Sequence, residues 1–183
     1  TTRAVRTLAE LSRRGLGTGV SINLTAHDLA DPDLQATIRD SLALWRVSPS
    51  RLTIELTESA IIPDESHSEA ALQALRALGC RIAVDDFGTG YSSMAYLRQL
   101  PLNELKIDQL FVRRMGASSQ DREIVRSMLQ LAHGLSLEVV AEGVEDEATA
   151  ALLREMGCQR MQGFLFGQAM PLGRFIEWMQ GRS

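Results

Sequence analysis

No apolar run in the 183-residue sequence approaches the roughly 20 residues of a membrane helix, so no membrane segment is expected in this chain. No signal-peptide pattern follows Thr1, and the lack of an initiator Met leads us to expect a piece of a longer chain. Cysteine is nearly absent. Cys80 and Cys158 have no partner at metal-site spacing, which predicts buried thiols in a reducing compartment. That favours a cytoplasmic location, including the cytosolic part of a membrane-anchored protein. There is no basic excess: 19 basic against 23 acidic residues leave a net charge of −4. This excludes an electrostatic footprint for duplex nucleic acid or an anionic membrane surface. No Pro/Gly/Ser-rich linker divides the sequence, so residues 1–183 are read as one domain, and 45 % apolar residues are ample for its core.

What the chain does contain is a recurring unit: a helical pattern, a Gly stop, then a short apolar strand. The joints are Arg14-Gly15-Leu16, Leu78-Gly79-Cys80, His133-Gly134-Leu135 and Met156-Gly157-Cys158, each expected to place Gly in the left-handed position past a helix. Apolar stripes at steps of three and four predict helices. They run through Leu34, Ile38, Leu42 and Trp45, through Leu72, Leu75 and Leu78, and through Ala148, Ala151, Leu152 and Met156. Asp31-Pro32 reads as an N-cap with Pro at the first helical position. Pro171 reads as the start of a last helix whose inner face is Leu172, Phe175, Ile176 and Met179. Strands are expected at Val20–Leu24, Leu52–Leu56, Arg81–Val84, Glu104–Ile107, Leu137–Ala141 and Arg160–Gly163, apolar on both faces. Alternation with helices implies parallel pairing.

Each strand has a polar residue at or near its C-terminal end: Asn23, Glu55, Asp85 with Asp86, Lys106 with Asp108, Glu142 and Gln162. They recur about every 28 residues, the length of one βα unit. Ionisable groups in apolar strands are costly unless paired or metal-bound. Placing them at one end of successive parallel strands gathers them around one pocket, as at the C-terminal mouth of a TIM-like (β/α) barrel. Six strand units are visible where such a barrel needs eight in about 250 residues, so roughly the first two strands are expected to precede Thr1. A doubly wound open sheet is the competing α/β architecture, but it would concentrate its ligands at one crevice.

Asn23, Glu55, Asp85, Asp86 and Glu142 offer oxygen ligands with no His or Cys among them, which suits Mg²⁺ or Mn²⁺ better than Zn²⁺. Adjacent Asp85 and Asp86 suit a two-metal site for in-line phosphoryl displacement. Lys106 would hold the attacking water or a phosphate oxygen, and Glu142 would be a metal ligand or the general base. Taken singly, each has a structural reading. A strand-end Glu is usually solvated, Asp85-Asp86 could begin a turn ahead of Gly88 and Gly90, and Lys106 could pair with Asp108. Six such coincidences at one-unit spacing favour function. The loop Asp85–Ser93 lacks the Gly-Lys-Ser/Thr ending of a P-loop, and Glu58 is placed to accept hydrogen bonds from it. His27, His67 and His133 lack metal-site spacing, Trp45 and Trp178 fall at core spacing, and Arg113-Arg114 is too short for a nucleic-acid patch.

These segments together resemble the EAL family of bacterial cyclic-di-GMP phosphodiesterases. The matching stretches are Ser21-Ile22-Asn23-Leu24, Glu55-Leu56-Thr57-Glu58-Ser59, the Asp85–Ser93 loop, Leu105-Lys106-Ile107-Asp108, Ala141-Glu142-Gly143-Val144-Glu145 and Gln162-Gly163-Phe164. The resemblance implies hydrolysis of one phosphodiester bond of cyclic-di-GMP to linear pGpG by a two-metal Mg²⁺ or Mn²⁺ site. It implies Asn23, Glu55 and Asp85 as ligands of one ion, Asp85 and Asp86 for the second, and Lys106 with Glu142 as the water-activating pair, Glu142 also being a possible ligand. It further implies Glu58 as anchor of a loop linked to metal binding and dimerisation, Asp86 and Gln162 as substrate contacts, a homodimer, and an upstream sensor or GGDEF domain. Three departures stand out. The Glu-Ala-Leu signature is not in these residues. Gln168-Ala169-Met170-Pro171 replaces a segment often reading Arg-Pro or Lys-Pro. Asp146 stands where Thr is common. The alternative is a catalytically inactive module that binds cyclic-di-GMP or regulates a partner.

Overall fold

The structure is a computed structural model and describes residues 1–61, 65–89 and 97–181, the side chains of residues 61 and 65–67 excepted. The elements follow in the order α1 (Thr2–Arg13), β1 (Val20–Asn23), α2 (Ala26–Leu29), α3 (Leu34–Trp45), β2 (Leu52–Thr57), α4 (Glu58–Ile61) and α5 (Glu65–Ala77). They continue with β3 (Arg81–Phe87), β4 (Glu104–Ile107), α6 (Gln109–Arg114), α7 (Ser119–Gly134), β5 (Glu138–Ala141), α8 (Glu147–Glu155), β6 (Arg160–Met161) and α9 (Leu172–Gln180).

All neighbouring strands pair in parallel, in the unbroken order β1-β2-β3-β4-β5-β6. A doubly wound sheet must reverse direction at a switch point, and this one does not. Right-handed crossovers that always advance by one strand place every helix on the same face and curl the sheet, as in a barrel wall. The curl is visible at the ends: Ile176, Phe175 and Met179 of α9 pack on Leu11 and Leu16 and on Val20 of β1. The α/β, TIM-like reading therefore holds over these six strands.

The strands differ from expectation in one respect that matters for the site. They are not apolar on both faces. Leu52, Ile54 and Leu56, Ile82 and Val84, and Leu105 and Ile107 alternate onto the helix-covered face and are wholly buried. The intervening positions form polar layers inside the curl. At the strands' N-terminal ends Arg81 pairs with Glu104 at 3.4 Å and Glu138 at 2.5 Å, and Arg160 pairs with the same two at 3.2 and 2.6 Å. At the C-terminal ends lie Glu55, Asp85, Lys106 and Glu142. Both faces of β2 and β4 are buried, as expected, because the inner polar residues pair with one another across the strands.

Other expectations are corrected at particular residues. Gly15, Gly79 and Gly157 do take positive φ after their helices, but Gly134 is the last residue of α7 and the left-handed position falls on Ser136. The α3 helix begins at Leu34 with Asp33 as N-cap, and Asp31 instead accepts the Asp33 N–H at 2.9 Å in the preceding turn. On α8 the buried face is Thr149, Ala150 and Leu153, while Ala148 and Ala151 are exposed. Alanine, which fills three of the nine positions of α8, is too small to mark a face. Asp146 caps α8 through the Thr149 N–H at 2.7 Å, the service a Thr would also perform there. Leu172 is exposed on α9, and β6 stops at Met161.

Cys80 is completely buried and Cys158 nearly so, and desolvation raises both thiols, Cys80 to about 11. At pH 8 neither should react with a thiol-directed disulfide reagent until denaturant is added. Prompt colour from the folded protein would contradict the packing.

Candidate active site

The site grows from the C-terminal ends of β2 to β5. In-register pairing sets Asn23 beside Glu55, Thr57 beside Asp85, and Lys106 beside Val140. The period of two then turns Glu55, Asp85 and Lys106 to the same inner face, and Glu142 joins them because its N–H extends the ladder to the Ile107 carbonyl at 3.1 Å. Lys106 is the hub. Its Nζ lies 3.0 Å from Glu55 Oε2, 2.9 Å from Asp85 Oδ1 and 2.7 Å from Glu142 Oε1. The pairing of Lys106 with Asp108 that the sequence left open is not made.

Asp85 and Asp86 would point to opposite faces of a regular strand. Here the register of β3 against β4 shifts between Val84 and Phe87, and Asp86 takes the left-handed φ of +53°. This bulge carries both carboxylates to one side. As a result carboxylate oxygens of Asp85, Asp86 and Glu142 lie within 4.8 Å of one another. The Asp85 carboxylate also accepts the Asp86 N–H at 3.1 Å.

Burial and mutual repulsion govern the site's protonation. Desolvation raises Glu142, opposed by the hydrogen bond and charge of Lys106 and reinforced by Asp85 and Glu55. Desolvation likewise raises Asp86, with help from a hydrogen bond to Asp108 and the Asp85 charge. Burial works to strip the proton from Lys106, but its carboxylate partners, Glu142 and Asp85 foremost, outweigh it and hold the ammonium above the ordinary lysine range. Oxygen donors this close, without His or Cys, fit a hard divalent cation.

Glu58, at the start of α4, is 4 % exposed and accepts the Gly88 N–H at 2.9 Å. Its Oε2 is buried and has no partner among the described residues. Gly88 has φ +98°, and a Cβ there would run into Met128 Cε and sit 3.0 Å from the Phe111 ring. The loop start is thus clamped between α4 and the α6–α7 pair. Gly90, Tyr91, Ser92 and Ser93, which the sequence reading also assigned to this loop, lie outside the described residues. Replacing Glu58 by alanine is expected to lower turnover by about 10- to 100-fold, with a smaller effect on thermal stability, checked by rate assay and thermal melt. Unchanged turnover would refute a positioning role.

Asn23 and Gln162 are at the same mouth but exposed, and no hydrogen bond joins their side chains to the carboxylate cluster among the described residues. The backbone of Gln162 is tied down, donating to Ala141 O at 2.8 Å and accepting from Val144 N at 3.0 Å. His27 and His133 are exposed at helix ends, as expected, and Arg113 pairs with Glu145 at 2.6 Å. His67's side chain lies outside the described residues.

Two features were missed. Asp108 both caps α6, accepting the Leu110 N–H at 2.6 Å, and lies beside Asp86, whose carboxyl it helps to raise. Its spacing of two from Lys106 was the available signal. Gly163 packs so tightly on Val144 that a Cβ would overlap its backbone oxygen and nitrogen. No single-sequence signal marks that contact.

The sequence profile of the EAL domain matches residues 1–169, and the chain belongs to the EAL family. Among relatives, the Pseudomonas aeruginosa protein MucR, named a bifunctional diguanylate cyclase/cyclic di-GMP phosphodiesterase, is 43 % identical over 157 residues, 86 % of this chain and 23 % of MucR. The MucR phosphodiesterase in complex with c-di-GMP superimposes with a TM-score of 0.90 at 39 % identity, covering 95 % of this chain and 71 % of that one. Klebsiella pneumoniae BlrP1, solved as a manganese and cyclic-di-GMP complex, gives a TM-score of 0.80 at 33 % identity over 88 % of this chain and 42 % of that one. The chain spans only 21 to 27 % of the length of the curated relatives it matches first.

Proposed function

We propose that this chain hydrolyses cyclic-di-GMP to linear pGpG at the mouth built by Glu55, Asp85, Asp86, Lys106 and Glu142. The observation that carries the reading is the convergence of three carboxylates on one buried ammonium, with Asp86 swung beside them by the bulge. Asn23, Glu55, Asp85, Asp86 and Glu142 would hold two Mg²⁺ or Mn²⁺ ions. Bound there, such ions supply Lewis acidity to a water and to the phosphate oxygens.

The protein's own groups do the rest. The carboxylates would hold the cations, since their own charge repels a phosphodiester, and Lys106 Nζ directs its charge at the attacking water. Burial has raised the basicity of Glu142, and its position 2.7 Å from Lys106 Nζ lets it take the proton of a water held by that ammonium. The water oxygen bonds to phosphorus as the P–O3′ bond breaks, and the released 3′ oxygen takes a proton from solvent while Glu142 holds the one from the attacking water. Gln162 and Asp86 would contact substrate, and Glu58 would hold the Gly88 loop over it.

Incubating the purified protein with cyclic-di-GMP and Mn²⁺, then chromatographing the nucleotides, should yield pGpG, and excess chelator should abolish it. Undiminished turnover in chelator would overturn the metal-dependent reading, while tight binding without product would favour the receptor alternative. A homodimer, a cytoplasmic location and an attached sensor or GGDEF domain belong to the same proposal. Relatives several times longer support the attached domain. Among the described residues no helix is long and apolar enough to cross a membrane. Light scattering would decide the oligomeric state.

A further inference from the structure

We propose that Lys106 is the site's internal counter-cation: in the metal-free protein its ammonium holds Glu55, Asp85 and Glu142 together, and it surrenders them as a divalent cation binds. This deepens the reading of the site as a divalent-cation centre and rests on it.

Three observations carry the inference. Lys106 is 4 % exposed, and its three partners surround Nζ at 2.7 to 3.0 Å, one carboxylate for each N–H donor. An ammonium has three donors, so the group is saturated by protein carboxylates alone. Second, Lys106 is the only lysine among the chain's 19 basic residues, the rest being arginine. A planar guanidinium forks onto a carboxylate edge and cannot gather three carboxylates around one point, whereas a compact ammonium can. Lysine thus occurs only where that geometry is needed. Third, Asp85 and Glu142 belong both to the ammonium's partners and to the carboxylate cluster with Asp86. Three desolvated carboxylates repel one another and would splay apart without a cation among them. The ammonium and the metal therefore draw on the same carboxylates, and each weakens the hold of the other. By linkage, the device stabilises the empty site and raises the metal concentration needed to fill it.

Two measurements test this, neither using turnover. In the first, Mn²⁺ binding to the full chain is measured by titration calorimetry for the wild type and Lys106→Met. Removing the competing charge should tighten Mn²⁺ binding by roughly tenfold or more. It should also lower the melting temperature in chelator by on the order of 10 °C. The second needs no variant. The chain carrying ε-¹⁵N-lysine has a single side-chain ammonium signal, assigned without ambiguity. That signal should be protected from solvent exchange in chelator, and should shift and lose protection as Mg²⁺ is added to saturation. Lys106→Met binding Mn²⁺ equally or more weakly would overturn the inference. So would an ammonium signal unchanged at Mg²⁺ saturation, which also decides the matter should the variant not fold. A wild-type chain that takes up neither ion would instead overturn the metal-centre reading itself.

Discussion

Asp85→Ala is expected to reduce cyclic-di-GMP turnover by about 10³-fold or more, the scale seen when a charge-stabilising group is removed from a preorganised site. Asp85 takes part in more of the site than any other carboxylate. It pairs with Lys106 at 2.9 Å, accepts the Asp86 N–H at 3.1 Å and shares the carboxylate cluster with Asp86 and Glu142. Losing it leaves Lys106 with Glu55 and Glu142, so the charge remains paired and the fold should persist. Asp85→Asn separates two effects, since the amide keeps an oxygen of similar shape but no charge. If charge is what matters, Asn should be nearly as inactive as Ala, and both should show weaker Mn²⁺ binding by calorimetry. Activity within tenfold of wild type for either variant would remove Asp85 from the proposed chemistry.

Gly163→Ala is expected to have the largest effect on stability, on the order of 3 kcal/mol, or about 6–12 °C in melting temperature. The added Cβ would overlap Val144 O and N and lie 2.7 Å from Val144 C. Those are backbone atoms, so no side chain can rotate away. Relief requires the end of β6 to move off the turn after β5, which would break the Val144 N to Gln162 O hydrogen bond of 3.0 Å. That turn also carries Glu142, so turnover should fall with stability even at temperatures where the variant is folded. A thermal melt and a rate at low temperature check both statements. An alanine variant that melts with the wild type would show that the backbone contact has slack. By contrast, at Gly15 or Gly157 a Cβ meets nothing within 4 Å, and only the positive φ resists substitution.

The β3 strand shows where reading from sequence stops. Its apolar start, Arg81–Val84, and the paired acids behind it were legible, and so was their place at a strand end. That the strand continues through Phe87 was not, because Asp is a poor strand former in isolation and two glycines follow closely. Lys106 shows the same division. Its position at the end of β4 was legible, but its partners were not, since Asp108, only two residues away, competes in sequence with carboxylates 51, 21 and 36 residues distant. Alternation along β4 and the helix cap made by Asp108 settled that competition in favour of the distant groups.

The sequence by itself determined the parallel α/β wall and the spacing that puts a polar residue at each strand end. Helical and extended periodicities, with glycine stops between them, are local properties. Only the tertiary structure decided which of those polar groups meet. A one-residue bulge puts Asp86 beside Asp85, the curl of the sheet brings Glu55 and Glu142 to one ammonium, and backbone contact at Gly163 holds β6 in place. The physical reason is that register and curl arise from packing between segments, which no single segment encodes.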